Sequence, residues 1–314
     1  MARIHVEGWA PDHGASTVVD VALADPEKVD EEVEVAGEWA PIDGADDGVE
    51  EVAFVDGVRR VDARLTLDEE DGPVPGLCGS YAVGAVRWDR RLRRSRFDAV
   101  SVGRLAVFGS GRIAEVPTAG RRLVYRSESI PDTDPAALLR RFHGAMRTAE
   151  ATLAEGLSRD GVFVVADGPL NDFSATEKVG YVKSHRVPYL SVERRRVVAR
   201  LGPGQRTPLF LIGAGGDYPR YSWYLRLAAI PGGHGWSGVA RAEVASALSL
   251  ETARRIADRV TAILPAVASE PHLDARAPQN LVPIGALERE LRRRLGDPGV
   301  VYRALREATM ERTR

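Results

Sequence analysis

The sequence predicts a mixed α/β domain in which strands and helices do not alternate regularly. Two observations set this expectation. An apolar run in "FVVADGPL" leads into Asp167 and is stopped by Gly-Pro, as a buried strand would be. Upstream, "VAFVDGVRR" repeats the pattern with Asp56. A long segment of helical period lies between them, so the order is antiparallel strands, helix, strand, helix, strands, helices.

Residues 1–45 read as an irregular, acidic leader, and 46–314 as one domain. Strand-like runs follow at 50–56, 59–67, 80–88, 99–108 and 121–127, the first three patterned as antiparallel hairpins. "DEEDGPVPG" at 68–76 reads as an exposed loop on its Gly and Pro content. A helix then starts with Asp134 as N-cap and Pro135 at the first helical position. Its apolar face is Leu138, Phe142, Ala145, Ala149 and Leu153. On that wheel Glu150 falls at the edge of the apolar stripe, and Glu155 points to the solvated side. After the strand carrying Asp167 come a short strand and turn within 181–190 and a basic helix at 191–201. Strands at 207–212, 222–229 and 237–244 and helices near 250–265, 283–295 and 299–311 complete the chain.

Composition narrows the function. With 314 residues and 44% hydrophobic content, the chain can bury a substantial core. A formal net charge of -2 gives no global positive field. The charge is segregated, however. Residues 21–52 and "LDEEDG" are acidic, whereas arginine is concentrated in "RWDRRLRRSRF", "ERRRVVAR" and "ERELRRR". A basic groove opposite acidic segments fits this layout. Cys78 is the single cysteine, which excludes a disulfide framework within one chain. No signal pattern and no apolar run of membrane-spanning length is present, so a soluble cytoplasmic protein is expected.

Two aspartates at neighbouring strand ends repel unless a cation sits between them, and carboxylate oxygen suits hard divalent ions. Glu150 is the third acid that the helix offers to such a site. An acid at a helix's core margin is costly unless it is paired or bound to metal.

The ordered set "FVDGVRR", "VVADGPL", "GYVKSH", "YLRLA" and "GVARAEVA" resembles the NurA family of DNA-end-processing nucleases, over about residues 50–290. The resemblance implies a ribonuclease-H-like fold and a Mn2+-dependent deoxyribonuclease, with Mg2+ as the substitute ion. It implies 5′-to-3′ exonuclease action with single-strand endonuclease action, a homodimer, and docking on a HerA-like hexameric ATPase. Carried over residue by residue, Asp56, Glu150 and Asp167 match the acidic ligands, and Lys183 a lysine beside the scissile phosphate. Arg226 and Arg241, each within a family-like motif, are the candidate phosphate contacts, with salt bridges from them to Glu243 as the plainer reading. The chain departs from the pattern where relatives carry serine, here Val58, and where they carry histidine, here about Gly285. Glu288 and Asp274 are both candidates to replace that histidine. The departure motivates an alternative, a catalytically weak DNA-binding or adaptor subunit of an ATPase complex. A nuclease acting on RNA is a third reading.

Other signals are weaker. The histidines lack zinc-ligand spacing, and only His185 lies near a candidate site residue. "LIGAGGDY" reads as a turn rather than a dinucleotide loop. Trp223 and Tyr224 are core aromatics or base-stacking platforms.

Overall fold

A computed structural model describes residues 3–6, 28–119, 123–170, 174–183, 187–216, 218–270, 272, 274 and 277–311. Its first strands are β1 (Arg3–Val6), β2 (Val29–Asp30) and β3 (Ile42–Asp43). Three long antiparallel strands follow: β4 (Glu51–Glu69), β5 (Gly72–Asp89) and β6 (Arg94–Phe108). After β7 (Arg126–Ser129) comes helix α1 (Pro135–Arg159), then β8 (Phe163–Asp167), β9 (Lys178–Val182) and α2 (Val192–Arg200). The chain continues through β10 (Gln205–Arg206), β11 (Phe210–Ile212), β12 (Arg220–Arg226) and β13 (Val239–Ala245). It ends with α3 (Leu250–Ile263), a 3-10 turn, α4 (Val282–Arg294) and α5 (Pro298–Glu311).

These strands form one mixed sheet. Its central order β6-β5-β4-β8-β9 puts three antiparallel strands beside two parallel ones. This is the expected mixed sheet with flanking helices, and the two aspartate-bearing strands are neighbours. Helices cover both faces. Val55 packs with Ala154 and Leu157 of α1, while Val58, two pleats away from Phe54 on the other face, packs with Leu287 and Leu291 of α4. Phe54 joins the main core with Ile256 and Val260 of α3. On the edge of β4 away from β5, β8 pairs over Val52–Val55 and β1 over Leu65–Asp68. No strand among the described residues pairs with that edge between them.

The expected loop at 68–76 is a correction. β4 and β5 run through it and turn only at Glu70 and Asp71, with Gly72 at φ 116°. Pro73 and Pro75 are tolerated because the pairing of β5 with β6 begins only at Gly76, so their missing N–H groups cost no bond on that side. The capped helix is as expected: the Asp134 side chain accepts from the Ala136 N–H at 3.1 Å. The leader is partly built into the sheet. β2 pairs with β11, β3 with β10, and Trp39 is buried against Phe210. Residues 7–27 and His185 lie outside the described residues.

Candidate metal centre

β4 and β8 are parallel and pair Val55 with Ala166, which places Asp56 beside Asp167. β8 ends there because Gly168 takes a φ of 96° and donates its N–H back to the Tyr181 carbonyl at 2.8 Å. Glu288 enters from α4, on the helix face that also buries Leu287 and Leu291. Asp56, Asp167 and Glu288 each offer a carboxylate oxygen, and these atoms all lie within 4.8 Å of one another. Of the two acids Glu288 and Asp274, Glu288 is the one that joins Asp56 and Asp167. Asp274 sits one step back, accepting from the Asn280 side-chain amide at 2.5 Å.

Glu150 reaches the site from α1. It can do so because residue 57 is glycine: a Cβ there would stand 2.4 Å from the Glu150 Oε1. The Gly57 N–H donates to Asp56 Oδ1 at 2.7 Å. Glu150 is not one of the three acids that converge within 4.8 Å, but its charge acts on Asp56.

Electrostatics single this cluster out. Burial, then the charges of Asp167, Glu150 and Glu288, hold the Asp56 carboxyl well above the usual carboxylate range. Burial pushes Glu150 up to about 7, with Asp167 adding to the rise and Arg147 opposing it. Without a cation, such a site holds protons in place of charge. The donor set is all carboxylate oxygen, partly desolvated and mutually repelling, and therefore fits a hard divalent ion. Lys183 adds a lysine contact. Its Nζ donates to Asp167 Oδ2 at 2.7 Å and to Asn280 Oδ1 at 2.9 Å.

Other expected residues are placed differently. Arg226 is buried, and its guanidinium donates to backbone carbonyls of Leu201, Ser237 and Gly235, so it pins loops. Arg241 is buried between Glu243, Ser222 and the Tyr189 ring. The structure thus spends both guanidinium groups on protein partners, and for Arg241 this is the plainer Glu243 salt bridge. Glu243 in turn accepts the Leu170 N–H at 2.8 Å, which ties down the turn after Asp167. Sequence reasoning passed over that supporting role. Trp223 and Tyr224 are core residues, and "LIGAGGDY" begins with the end of β11 and turns through Gly213 and Gly215, both at positive φ.

Glu155 is a further correction. It is 8% exposed, not solvated, and makes an ion pair with the buried Lys178 while accepting from Ser174 at 2.5 Å and Thr176 at 3.0 Å. Burial opposes ionisation, but these partners outweigh it and pull the carboxyl down to about 2. A narrow cleft lies between this pair and the metal-type cluster, lined by Glu150, Ala154, Asp167, Leu170 and Lys178.

No family model matches the chain, and no curated protein matches it in sequence. Solved structures of two nucleases are among those similar to it. The NurA nuclease from Sulfolobus solfataricus is 10% identical with a TM-score of 0.47, over 82% of this chain and 84% of that one. The catalytic domain of human endonuclease V is 15% identical with a TM-score of 0.35, over 80% of this chain and 85% of that one.

Proposed function

We propose that this chain is a divalent-metal-dependent nuclease that hydrolyses DNA phosphodiesters. The observation that carries the reading is the convergence of Asp56, Asp167 and Glu288 from two parallel strands and a helix within 4.8 Å. Those three would hold Mn2+ or Mg2+, with Glu150 completing the acidic set from the α1 face. A hard divalent ion bound there supplies an activated water and charge neutralisation at the phosphate. Lys183, held by Asp167 and Asn280, directs its ammonium toward the reacting phosphate and offsets charge as it builds. The motif resemblance supports the finer reading: 5′-to-3′ exonuclease action with single-strand endonuclease action, DNA-end processing, a homodimer, and a HerA-like ATPase as partner. The missing histidine favoured a catalytically weak adaptor. Glu288 supplies an acid in the cluster without it, so the enzyme is the better reading.

The test uses end-labelled single- and double-stranded DNA, with RNA as a parallel substrate. Mn2+ is expected to support cleavage of DNA and EDTA to abolish it. Asp56→Ala, Asp167→Ala and Glu288→Ala should each cut the rate by at least about a hundredfold, equivalent to roughly 2.7 kcal/mol of barrier. An unchanged rate in the Glu288 variant would remove it from the ligand set. Cleavage of RNA alone would move the substrate class.

A further inference from the structure

The uncovered stretch of β4 edge beyond Asp56 carries a second feature that the carboxylates do not explain. Alternation along β4 places Val55, Gly57 and Arg59 on the face covered by α1. Glu150 of α1 sits against Gly57. Arg147 and His143 lie one and two turns before Glu150 on the same side of the helix. Since α1 returns the chain to start the parallel strand β8, stepping back along it means stepping forward along β4, from Gly57 toward Arg59. Arg147 is fixed at the other end, donating to the Pro169 carbonyl at 3.2 Å, two residues past Asp167.

Three basic side chains therefore border the acidic cluster on one side. Among the described residues, no carboxylate or carbonyl partners Arg59, and none partners His143. Several other half-buried or buried arginines do have such partners. Arg206 is held by Glu34 and Asp258, Arg60 by Asp62 and the Gly296 carbonyl, and Arg226 by loop carbonyls. A cation that is partly desolvated and unpaired costs stability unless something else pairs it. The local field agrees. Burial lowers the Arg59 pKa with no acid opposing it, and burial together with Arg59 and Arg147 takes His143 down to about 4.

We propose that Arg59, His143 and Arg147 form a binding site for one backbone phosphate of a nucleic-acid strand, next to the phosphate that would react at the carboxylates. The proposal rests on the nuclease reading. A phosphodiester fits better than a carboxylate ligand because the site is continuous with a metal-type cluster suited to phosphate oxygen. Arg59 lies roughly 10 Å along the strand from Asp56, a distance set by the rise of about 3.3 Å per residue. A strand lying across the open edge of β4 would reach both. Arg59 would contact the phosphate, Arg147 would flank it, and neutral His143 would donate a hydrogen bond.

The test measures binding of the full-length protein to a fluorescent single-stranded DNA in Ca2+, over a range of KCl concentrations. Arg59→Gln is expected to weaken binding about tenfold at low salt. The slope of log affinity against log salt should fall by about 0.7, the value for one lost phosphate contact on a single strand. Arg59→Lys should keep the slope. The Tm of Arg59→Gln should not fall below wild type, since the charge has no internal partner. A scan of single methylphosphonate linkages should find one position that weakens wild-type binding but not that of Arg59→Gln. Wild-type affinity and slope in Arg59→Gln would overturn the proposal. So would a lower Tm with no rescue by lysine, which marks a structural role. Stabilisation of wild type but not Arg59→Gln by inorganic phosphate, with DNA binding equal in both, would reassign the site to a free anion and overturn it too. An Arg59-dependent slope without cleavage in Mn2+ would sink the nuclease reading alone. Cleavage with no Arg59 dependence would sink this proposal alone, and absence of DNA binding by wild type would sink both.

Discussion

Asp56 and Glu150 carry raised pKa values because four acids share one partly desolvated place. In the metal-free protein, the folded state keeps protons that the unfolded chain has already released. For Glu150, stability therefore falls as pH rises from about 4.5, its ordinary value, to about 7, its value here, and Asp56 shifts in the same direction. Melting curves in EDTA across this range should show that fall. Adding Mn2+ should raise the Tm most at the upper end, where the ligands are ionised. Asp56→Asn should raise the metal-free Tm at pH 8 and abolish the Mn2+ response. A lower metal-free Tm in that variant would mean the aspartate is a structural hydrogen-bonding group. The buried Lys178–Glu155 pair behaves oppositely. Lys178→Met leaves Glu155 buried and short of its main partner, and should cost about 3–5 kcal/mol. The double variant Glu155→Met/Lys178→Met should recover most of that loss, as read by urea denaturation.

At the scale of elements, β4 is permeable at one point. The glycine at 57 lets an acid from α1 meet acids that arrive from β8 and α4. Gly57→Ala puts a methyl where the Glu150 carboxylate stands. Glutamate can swing aside, so the stability cost should be small, about 1 kcal/mol. Activity should fall tenfold or more. Full activity would show that Glu150 is dispensable. Asp56 and Asp167 were legible in the sequence because a buried run ended by Gly is a local signal. So was the start of α1, since a cap needs only Asp134 and Pro135. Glu288 was only one of two options, because its place depends on how α4 packs across the sheet. The burial of Glu155 was hidden because Lys178, which neutralises it, comes from β9. The turn at Glu70 and Asp71 was hidden because Pro73 and Pro75 read locally as loop, and only the register with β6 makes them harmless.

For the whole molecule, the acidic leader divides into parts with different roles. Residues 28–45 contribute Trp39 to the core and Glu34 to the buried Arg206 at 2.9 Å. Deleting 1–45 strips the core of a tryptophan and deprives the buried Arg206 of Glu34, so the product should be poorly folded. Deleting 7–27 keeps those two contacts, although joining β1 directly to residue 28 would pull β1 off β4, and its Tm should lie above that of the longer deletion. The shorter deletion is therefore the one to use when asking whether acidic residues dock a basic patch on an ATPase. Equal melting of the two truncated proteins would show that the Glu34 and Trp39 contacts add little.

The convergence of Asp56 with Glu288 also has a temporal side. The two acids are far apart in the chain, and the second arrives on the penultimate helix, α4. A ribosome has released almost all of the sheet before Glu288 is made. Until then the growing polypeptide can fold its strands and place Asp56 beside Asp167, yet it lacks the acid that closes the cluster. The acidic cluster is thus completed late, and a chain whose synthesis aborts before residue 288 is left without its third acid.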